Sequence, residues 1–267
     1  SAASAILVVL LLLIEFPILG GRWIVLMAGQ NISTYRLMRG YFIAAFFSAF
    51  TPAQIGADAA RYFDLKKTGV SGSFLVGVMM RERVMGLASF IYFFLFCMIV
   101  VMIQGLAIPT AVSQIALGVV PIMIGAGILA AFGHLLLPLV IARANRWGGG
   151  WTARLNVAAT ALLTKLPNNK WWSAWFFSVV GGCLLWTAAV WLVNRDIGPD
   201  IPFAVIGMIA VLVELVRLVP ITIQGIGVRE AAYAYCFQIM GHAPENGFVV
   251  GAVAYALASL AVILIGV

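Results

Sequence analysis

The stretches Pro52-Ala-Gln-Ile-Gly-Ala-Asp-Ala-Ala-Arg61 and Pro220-Ile-Thr-Ile-Gln-Gly-Ile-Gly-Val-Arg229-Glu230 decide the fold, because they interrupt a chain that is otherwise almost continuously apolar. Each begins with a proline, carries a glutamine and a glycine, and reaches an arginine nine positions after its proline, with a carboxylate nearby. At membrane depth, helix-breaking residues and charges are tolerated only where protein shields them or where they line a water-filled cavity. One such interruption in each half of the chain predicts a transport site between two repeats.

The composition is that of an integral membrane protein. Hydrophobic residues make up 64% of the chain and charged residues 9%, and the mean hydropathy is +1.09. A soluble domain carries about 25% charged residues. Apolar runs of about 20 residues that contain glycine and proline favour helices over the alternating strands of a β-barrel. The sequence therefore predicts an all-α integral membrane protein, a polytopic helical bundle formed by one domain over residues 1–267.

The basic residues orient the bundle. Segments 20–40, 57–72 and 143–170 are basic, whereas segments 105–110, 194–200 and 241–246 carry little or no positive charge. The positive-inside rule places the first three in the cytoplasm and the other three outside. The net charge of +7 therefore indicates topology and contacts with anionic lipids rather than nucleic-acid binding. The predicted spans are 1–19, about 84–104, about 111–140, 171–193 and 247–267, with an interfacial helix at about 147–166.

Two segments are predicted to be re-entrant hairpins. Residues 41–55 are apolar but have basic flanks, and 15 helical residues reach only about 22 Å across a hydrocarbon core about 30 Å thick. A hairpin at about 41–66 resolves this conflict, and a second at about 203–240 enters from the opposite face, as an inverted repeat requires. The run 201–219 is also long enough to span the membrane outright, which would reverse the orientation of everything after it.

Few residues could support catalysis. Cys97, Cys183 and Cys236 are far apart, with neither disulfide nor metal spacing, and His134 and His242 have no ligand partners at useful spacing. Neither a nucleophile with its base nor a nucleotide-binding loop can be recognised. We therefore expect no metal, no cofactor and no enzymatic activity.

The two polar stretches, together with Arg81-Glu-Arg-Val-Met-Gly86, resemble the lysylphosphatidylglycerol synthase transmembrane-region family of flippase-like proteins. That family shows Pro, Gly-Gly-Asp and Arg in its first half, then an Asp-Arg pair before a glycine, and Pro-x-x-x-x-Gly-x-Gly-x-x-Glu in its second half. The chain departs from this pattern at Ala57, in place of the second glycine, and at Glu82-Arg83, in place of Asp-Arg.

The resemblance implies movement of lipids or lipid-linked intermediates between membrane leaflets. Members of the family act on aminoacylated phospholipids, hopanoids or glycan-carrier lipids, so the fold does not specify the substrate. The expected location is a bacterial or archaeal cytoplasmic membrane. The expected partners are membrane lipids, and either a second copy of the chain or a lipid-synthesising enzyme.

Charge and spacing indicate how an anionic head group would be held. An unpaired arginine at mid-membrane costs about 2.5–3.5 kcal/mol by insertion scales. The arginines are therefore expected to pair with nearby carboxylates, as Asp58–Arg61, Glu82–Arg83 and Arg229–Glu230. A phosphate could replace such a carboxylate by bidentate hydrogen bonding, and helix N-termini would add amide donors. The expected substrate-binding residues are Gln54, Gly56, Asp58, Arg61, Glu82, Arg83, Gln224, Gly225, Gly227, Arg229 and Glu230.

Several of these residues also have a purely structural interpretation. Arg61, Arg81 and Arg217 could anchor the membrane interface, and the Glu82–Arg83 and Arg229–Glu230 pairs could be local ion pairs. Glu214 could be only the helical partner of Arg217, three positions later. Glu15, beside Phe16-Pro17, is either a protonated structural residue or part of a cavity lining.

Three functions compete at this stage. Lipid translocation is the function that the sequence favours most. A proton-coupled secondary transporter of ions or small solutes would use the same hairpins, with Glu15, Asp58 and Glu230 as proton sites. An intramembrane enzyme that modifies lipid head groups ranks last, because the residues for its chemistry are not recognisable.

Overall fold

The protein is mostly helical in the part described by its computed structural model, which comprises residues 1–49, 51, 55–106, 121, 168–217, 222 and 225–266. No strand occurs among these residues, which confirms the predicted all-α class. The described helices are α1 (Ala2–Leu26), α2 (Thr34–Ser48), α3 (Ile55–Lys66), α4 (Gly72–Ile103), α5 (Asn168–Val179), α6 (Trp186–Ile197), α7 (Phe203–Arg217), α8 (Val228–Ile239) and α9 (Pro244–Gly266). A π-helical turn at Val180–Leu185 joins α5 and α6.

Four helical stretches of the described chain are long and apolar enough to cross a membrane: Ala2–Leu26, Gly72–Ile103, Lys170–Ile197 and Pro244–Ile265. They correspond to four of the five predicted spans. The fifth, at about 111–140, and the interfacial helix at about 147–166 lie outside the described residues. Large apolar side chains such as Leu10, Phe96 and Leu264 are exposed on three of these helices, as contact with lipid permits. The chain is an integral membrane protein.

Helix α1 packs against α2, α4, α5, α6 and α9, and side chains such as Leu7 and Ile14 leave part of its surface exposed. It continues to Leu26, so the prediction that its span ends at residue 19 and that a basic loop follows is wrong at this boundary. Trp23 and Leu26 are 1% and 2% exposed within an apolar cluster shared with α2, α3, α4 and α5. Their burial outweighs the roughly 1 kcal/mol that each of Gly20 and Gly21 costs in a helix. Arg22 is therefore carried into the bundle.

Helices α2 and α3 form an antiparallel pair. Arg36, near the start of α2, forms a 3.0 Å ion pair with Asp64, near the end of α3. The helices contain 15 and 12 residues, or about 22 and 18 Å, which is less than the hydrocarbon thickness of about 30 Å. This is the geometry expected for the first hairpin. That the pair enters and leaves the membrane on one face stays a prediction.

Helix α7 is enclosed by protein. Ten of its 15 residues are buried, between α4, α6 and α8. A helix that is apolar on every side is expected in such surroundings as well as in lipid. Helix α7 packs against α8. The hairpin formed by these two helices, and the alternative that residues 201–219 cross the membrane, both stay predictions. The inverted relation between the two helix pairs stays a prediction.

Candidate functional site

Arg61 is the centre of a buried ion-pair network. Its Nη1 donates a hydrogen bond to Glu82 Oε2 at 2.6 Å, and its Nη2 donates to Asp58 Oδ1 at 2.7 Å. Arg61 and Glu82 are each only 6% exposed. The guanidinium carbon of Arg61 lies 4.4 Å from the ring centre of Trp23 and 5.6 Å from that of Tyr41. An interface anchor would extend its charge into water, so that interpretation does not fit Arg61.

Two further arginines extend this network. Arg22 Nη2 donates to the other oxygen of Glu82 at 2.8 Å, and Arg22 Nη1 donates to the hydroxyl of Ser178 at 3.3 Å. Arg83 forms an ion pair with the other oxygen of Asp58. Three arginines thus share two carboxylates, and these five side chains, called the Arg61 network below, carry a net charge of +1.

The Arg61 network is more accessible on one side. The side chains of Arg22 and Glu82 are 13% and 6% exposed, whereas those of Asp58 and Arg83 are 25% and 39% exposed. The Nε atoms of Arg22 and Arg61 are buried and have no hydrogen-bond partner among the described residues. An anion would therefore approach from the side of Asp58 and Arg83, towards guanidinium groups with unused donors.

The start of α3 positions Asp58 and Arg61. These residues are three apart and share one helical face. The backbone N–H of Gly56 donates to Thr51 Oγ1 at 3.0 Å, and a Cβ at Gly56 would lie 2.7 Å from the Thr51 side chain. Glycine is therefore required at position 56. Ala57, which replaces the second glycine of the family pattern, is buried at 7% exposure, so the site accommodates its methyl group.

A second buried polar cluster joins α7, α8 and α9. Glu214 accepts a hydrogen bond from the Tyr255 hydroxyl at 2.6 Å, and Arg217 forms a 2.6 Å ion pair with the same carboxylate. The guanidinium carbon of Arg229 lies 3.5 Å from the ring centre of Tyr255, and Arg229 is 5% exposed. Glu214 is thus the helical partner of Arg217, and it also connects α7 to α9.

The turn before α8 controls the position of Arg229. Gly225 and Gly227 have φ angles of +75° and +84°, which L side chains rarely adopt. A Cβ at Gly225 would lie 2.9 Å from Arg229 Nε, so this glycine also provides room for the arginine. Glu230 Oε2 accepts a hydrogen bond from the backbone N–H of Gly227 at 2.6 Å and so caps the helix.

Two of the three predicted ion pairs are wrong. Glu230 caps α8 instead of pairing with Arg229. Glu82 pairs with Arg22 and Arg61, whereas Arg83 pairs with Asp58. Consecutive residues of a helix point about 100° apart, so neighbours in sequence tend to meet partners on different helices. The Asp58–Arg61 pair, at a spacing of three, is confirmed.

Glu15 lies on the face of α1 that also carries Arg22. The two residues are seven positions apart, which is about two turns or 10 Å along the helix. Glu15 is within electrostatic range of Glu214, Arg217 and Tyr41. It makes no hydrogen bond or ion pair with the described residues. Glu15 is therefore close enough to interact electrostatically both with the second cluster and with Tyr41 beside Arg61.

The structure gathers the predicted site residues into two groups. Gln54 and Gln224 lie outside the described residues, and the role of every predicted residue in substrate binding stays a prediction. The group at α3 and α4 contains Gly56, Asp58, Arg61, Glu82 and Arg83, and the group at α8 contains Gly225, Gly227, Arg229 and Glu230.

Sequence reasoning missed Arg22, Trp23, Tyr41 and Tyr255. Arg22 was assignable from the sequence, because the apolar run Trp23–Met27 continues the pattern of α1 beyond it. No local signal distinguishes the three aromatic residues from the many others in this chain, since their contacts depend on how the helices pack.

The family model described as Lysylphosphatidylglycerol synthase TM region matches residues 1–266, essentially the whole chain. The match includes both polar stretches and the Arg81–Gly86 motif, and it confirms the resemblance drawn from them. No curated protein and no solved structure matches the chain.

Proposed function

Because the chain belongs to the lysylphosphatidylglycerol synthase transmembrane-region family, we propose that it moves a lipid or a lipid-linked intermediate between membrane leaflets. Family membership indicates a membrane protein of lipid metabolism or transport. The observation that carries the finer proposal is the Arg61 network, a buried site with a net charge of +1. Such a site favours an anionic head group, and the phosphate of a lipid is the anion most suited to bidentate arginine contacts.

In this proposal the phosphate exchanges with Asp58. Asp58 bridges Arg61 and Arg83 and is the more exposed of the two carboxylates in the network. Glu82 stays in place and holds Arg22 and Arg61 in position. A hydrogen bond to a charged group contributes about 1.5–3 kcal/mol whether the acceptor is a carboxylate or a phosphate. The exchange is therefore close to balanced, which lets a head group leave as readily as it arrives.

We further propose that the chain is a translocator rather than an enzyme and that it acts in a bacterial or archaeal cytoplasmic membrane. Its ligands would be anionic or lipid-linked molecules, with a second copy or a lipid-synthesising enzyme as protein partner. The support is the family match and the use of the charged residues as ion pairs within the bundle.

One observation favours a second candidate, proton-coupled transport of a small solute. Glu15 lies within a candidate span and makes no hydrogen bond or ion pair with the described residues. A carboxylic acid in such a place is a candidate proton carrier. The other two expected proton sites are less suited to this role, because Asp58 is held by two arginines and Glu230 caps α8.

Leaflet exchange in proteoliposomes tests the proposal. Fluorescent phosphatidylglycerol and fluorescent phosphatidylcholine would be incorporated separately, and the outer leaflet would be quenched with dithionite. We expect the protected fraction of the anionic probe to fall faster than that of the zwitterionic probe, and faster than in protein-free vesicles.

Exchange of both probes at the protein-free rate would contradict lipid translocation. If the same vesicles also dissipated an imposed pH gradient in the presence of a solute, proton-coupled solute transport would replace lipid translocation as the proposed function. Equal acceleration of both probes would remove the role of the anionic head group.

A further inference from the structure

We propose that the π-helical turn at Val180–Leu185 and Pro17 of α1 form a paired hinge, whose bending makes and breaks the hydrogen bond between Arg22 and Ser178 at the edge of the Arg61 network. This inference rests on the proposed function, because it assigns the hinge to the passage of the lipid. The π-helical turn lies inside one candidate membrane span, and Pro17 lies inside another.

The backbone of both helices is weakened at these points. Proline has no N–H, so Pro17 cannot donate to the carbonyl of Leu13, and α1 lacks one hydrogen bond there. A π-helical turn inside an α-helix is rare, is often found at functional sites and is one of the few causes of a kink. This one contains Gly181 and Gly182, and glycine is less favourable than alanine in a helix interior. Bending is therefore easier here than in a regular stretch of either helix.

Packing accounts for only one of these two glycines. A Cβ at Gly181 would lie 2.9 Å from the Leu19 side chain of α1, so this glycine lets the two helices approach closely. A Cβ at Gly182 would lie 4.0 Å from Leu19, which is an ordinary contact. Space therefore does not require glycine at position 182. The property that remains to explain it is the conformational freedom of its backbone.

The two weakened points face each other beside the Arg61 network. Leu19, two residues after Pro17, lies against Gly181. Three residues further along α1, Arg22 Nη1 donates a hydrogen bond to Ser178 Oγ, which is three residues before Gly181. The helices are therefore antiparallel here, and this bond lies about 4.5 Å along them from the contact at Gly181. Movement of α5 about the π-helical turn would lengthen or break it.

The paired hinge lies between two apolar clusters. Val8 and Leu12 of α1 pack with α6, α7, α8 and α9, whereas Trp23 of α1 packs with α2, α3, α4 and α5. On the other helix, Ala174 before the π-helical turn belongs to the cluster of Trp23, and Trp186 after it belongs to the cluster of Val8. Close-packed interiors resist deformation, so bending is concentrated between the clusters.

Helix α4 also leaves the cluster of Trp23. Its Met85 packs in that cluster, whereas its Phe93 packs against α7 in another. Gly86 lies between these two residues of α4 and lowers the helix propensity there. Thus α1, α4 and the stretch formed by α5 and α6 each carry a helix-weakening feature where they pass from one cluster to the next.

The hydrogen bond between Arg22 and Ser178 couples the paired hinge to the lipid. Arg22 also donates to Glu82 and so belongs to the Arg61 network. When α5 moves away, Arg22 Nη1 becomes a free donor for a phosphate, while Ser178 keeps its hydrogen bond to the carbonyl of Ala174. A ligand shifts a conformational equilibrium only if it binds the two states differently, and this donor provides the difference. Lipid binding therefore favours the state in which α5 has moved.

Gly182→Ala tests the paired hinge by leaflet exchange of fluorescent phosphatidylglycerol. Alanine favours a regular helix over glycine, so exchange should slow by about fivefold, the ratio that corresponds to this preference. Its melting temperature should not fall below that of the wild type, because the new Cβ has room. Gly40→Ala is the matched control in α2, where the new Cβ would lie 3.6 Å from Asp64 Oδ2, and it should exchange lipid at the wild-type rate.

Spin labels measure the bending directly, by double electron–electron resonance in nanodiscs. Trp172→Cys and Ile197→Cys, both at exposed positions, place labels about 37 Å apart along α5 and α6 in a cysteine-free background. Their distance distribution should differ between phosphatidylglycerol and phosphatidylcholine nanodiscs, and Gly182→Ala should reduce the difference. Labels at the exposed Phe248 and Leu264 of α9 are the control and should give one distribution in both lipids.

The outcomes separate the paired hinge from the proposed function. Identical α5–α6 distance distributions in the two lipids would overturn the hinge, and so would exchange by Gly182→Ala at the rate of Gly40→Ala. In either case, faster exchange of phosphatidylglycerol by the wild type than in protein-free vesicles would leave the proposed function standing. A distance change with phosphatidylglycerol but without lipid exchange would support the hinge and overturn lipid translocation.

Discussion

Replacement of Glu82 by glutamine tests whether the Arg61 network is an integral part of the fold. Glu82 is 6% exposed and accepts hydrogen bonds from Arg61 at 2.6 Å and from Arg22 at 2.8 Å. Glu82→Gln keeps the shape but removes the charge that both guanidinium groups share. Breaking a buried ion pair costs about 3–5 kcal/mol, because the remaining charges are left uncompensated. At about 2–4 °C per kcal/mol for a chain of this size, Tm should fall by roughly 6–20 °C.

The assay is thermal unfolding in detergent, followed by intrinsic fluorescence. Glu245→Gln is the matched control, because Glu245 is exposed in the first turn of α9. A surface change of this kind usually alters the free energy of unfolding by less than about 0.5 kcal/mol. Adding Arg22→Gln to Glu82→Gln should cost less than the sum of the single changes, because the two residues interact directly. If Glu82→Gln unfolded at the same temperature as Glu245→Gln, the reasoning about the network would be refuted.

Two further predictions concern the turns and the topology. Gly225→Ala should lower the free energy of unfolding by about 1–3 kcal/mol, because φ is +75° and the new Cβ would crowd Arg229 Nε at 2.9 Å. Gly182→Ala is the control, because its new Cβ would meet its nearest neighbour at 4.0 Å. Equal melting temperatures of the two variants would contradict the prediction. The topology is tested by Tyr35→Cys and Lys67→Cys, in the two basic segments that flank the first predicted hairpin, in a cysteine-free background. A membrane-impermeant thiol reagent should label both cysteines from the cytoplasmic side. Labelling from opposite sides would rule out the first re-entrant hairpin.

The sequence predicts the break between α2 and α3 because the polar stretch around it is a local signal, whereas the re-entrant course of the two helix pairs stays a prediction. A short apolar run next to Pro52 and Gly56 limits how far α2 and α3 can extend, and the structure shows that limit. The spacing of three between Asp58 and Arg61 likewise fixes their pairing on one helix.

Contacts between helices are harder to predict from the sequence than helix ends or pairings within one helix. Glu82 pairs with Arg22, 60 positions earlier, and no local pattern encodes that separation. The sequence misplaces the end of α1 because Arg22 resembles the charge of a loop, whereas the burial of Trp23 continues the helix past it. The second buried cluster could not be predicted for the same reason, since its side chains come from α7, α8 and α9.

The most direct test of the central claim is leaflet exchange of fluorescent phosphatidylglycerol by Arg61→Lys beside Arg36→Lys. Lysine keeps the charge but loses the planar, bidentate donors of arginine. Arg36 is a suitable control because its side chain is 42% exposed and pairs with Asp64 outside the Arg61 network. Losing one charge-assisted hydrogen bond of about 1.5–3 kcal/mol should slow exchange by at least about tenfold in Arg61→Lys. Arg36→Lys should exchange lipid at the wild-type rate. Exchange by Arg61→Lys at the wild-type rate would contradict the account.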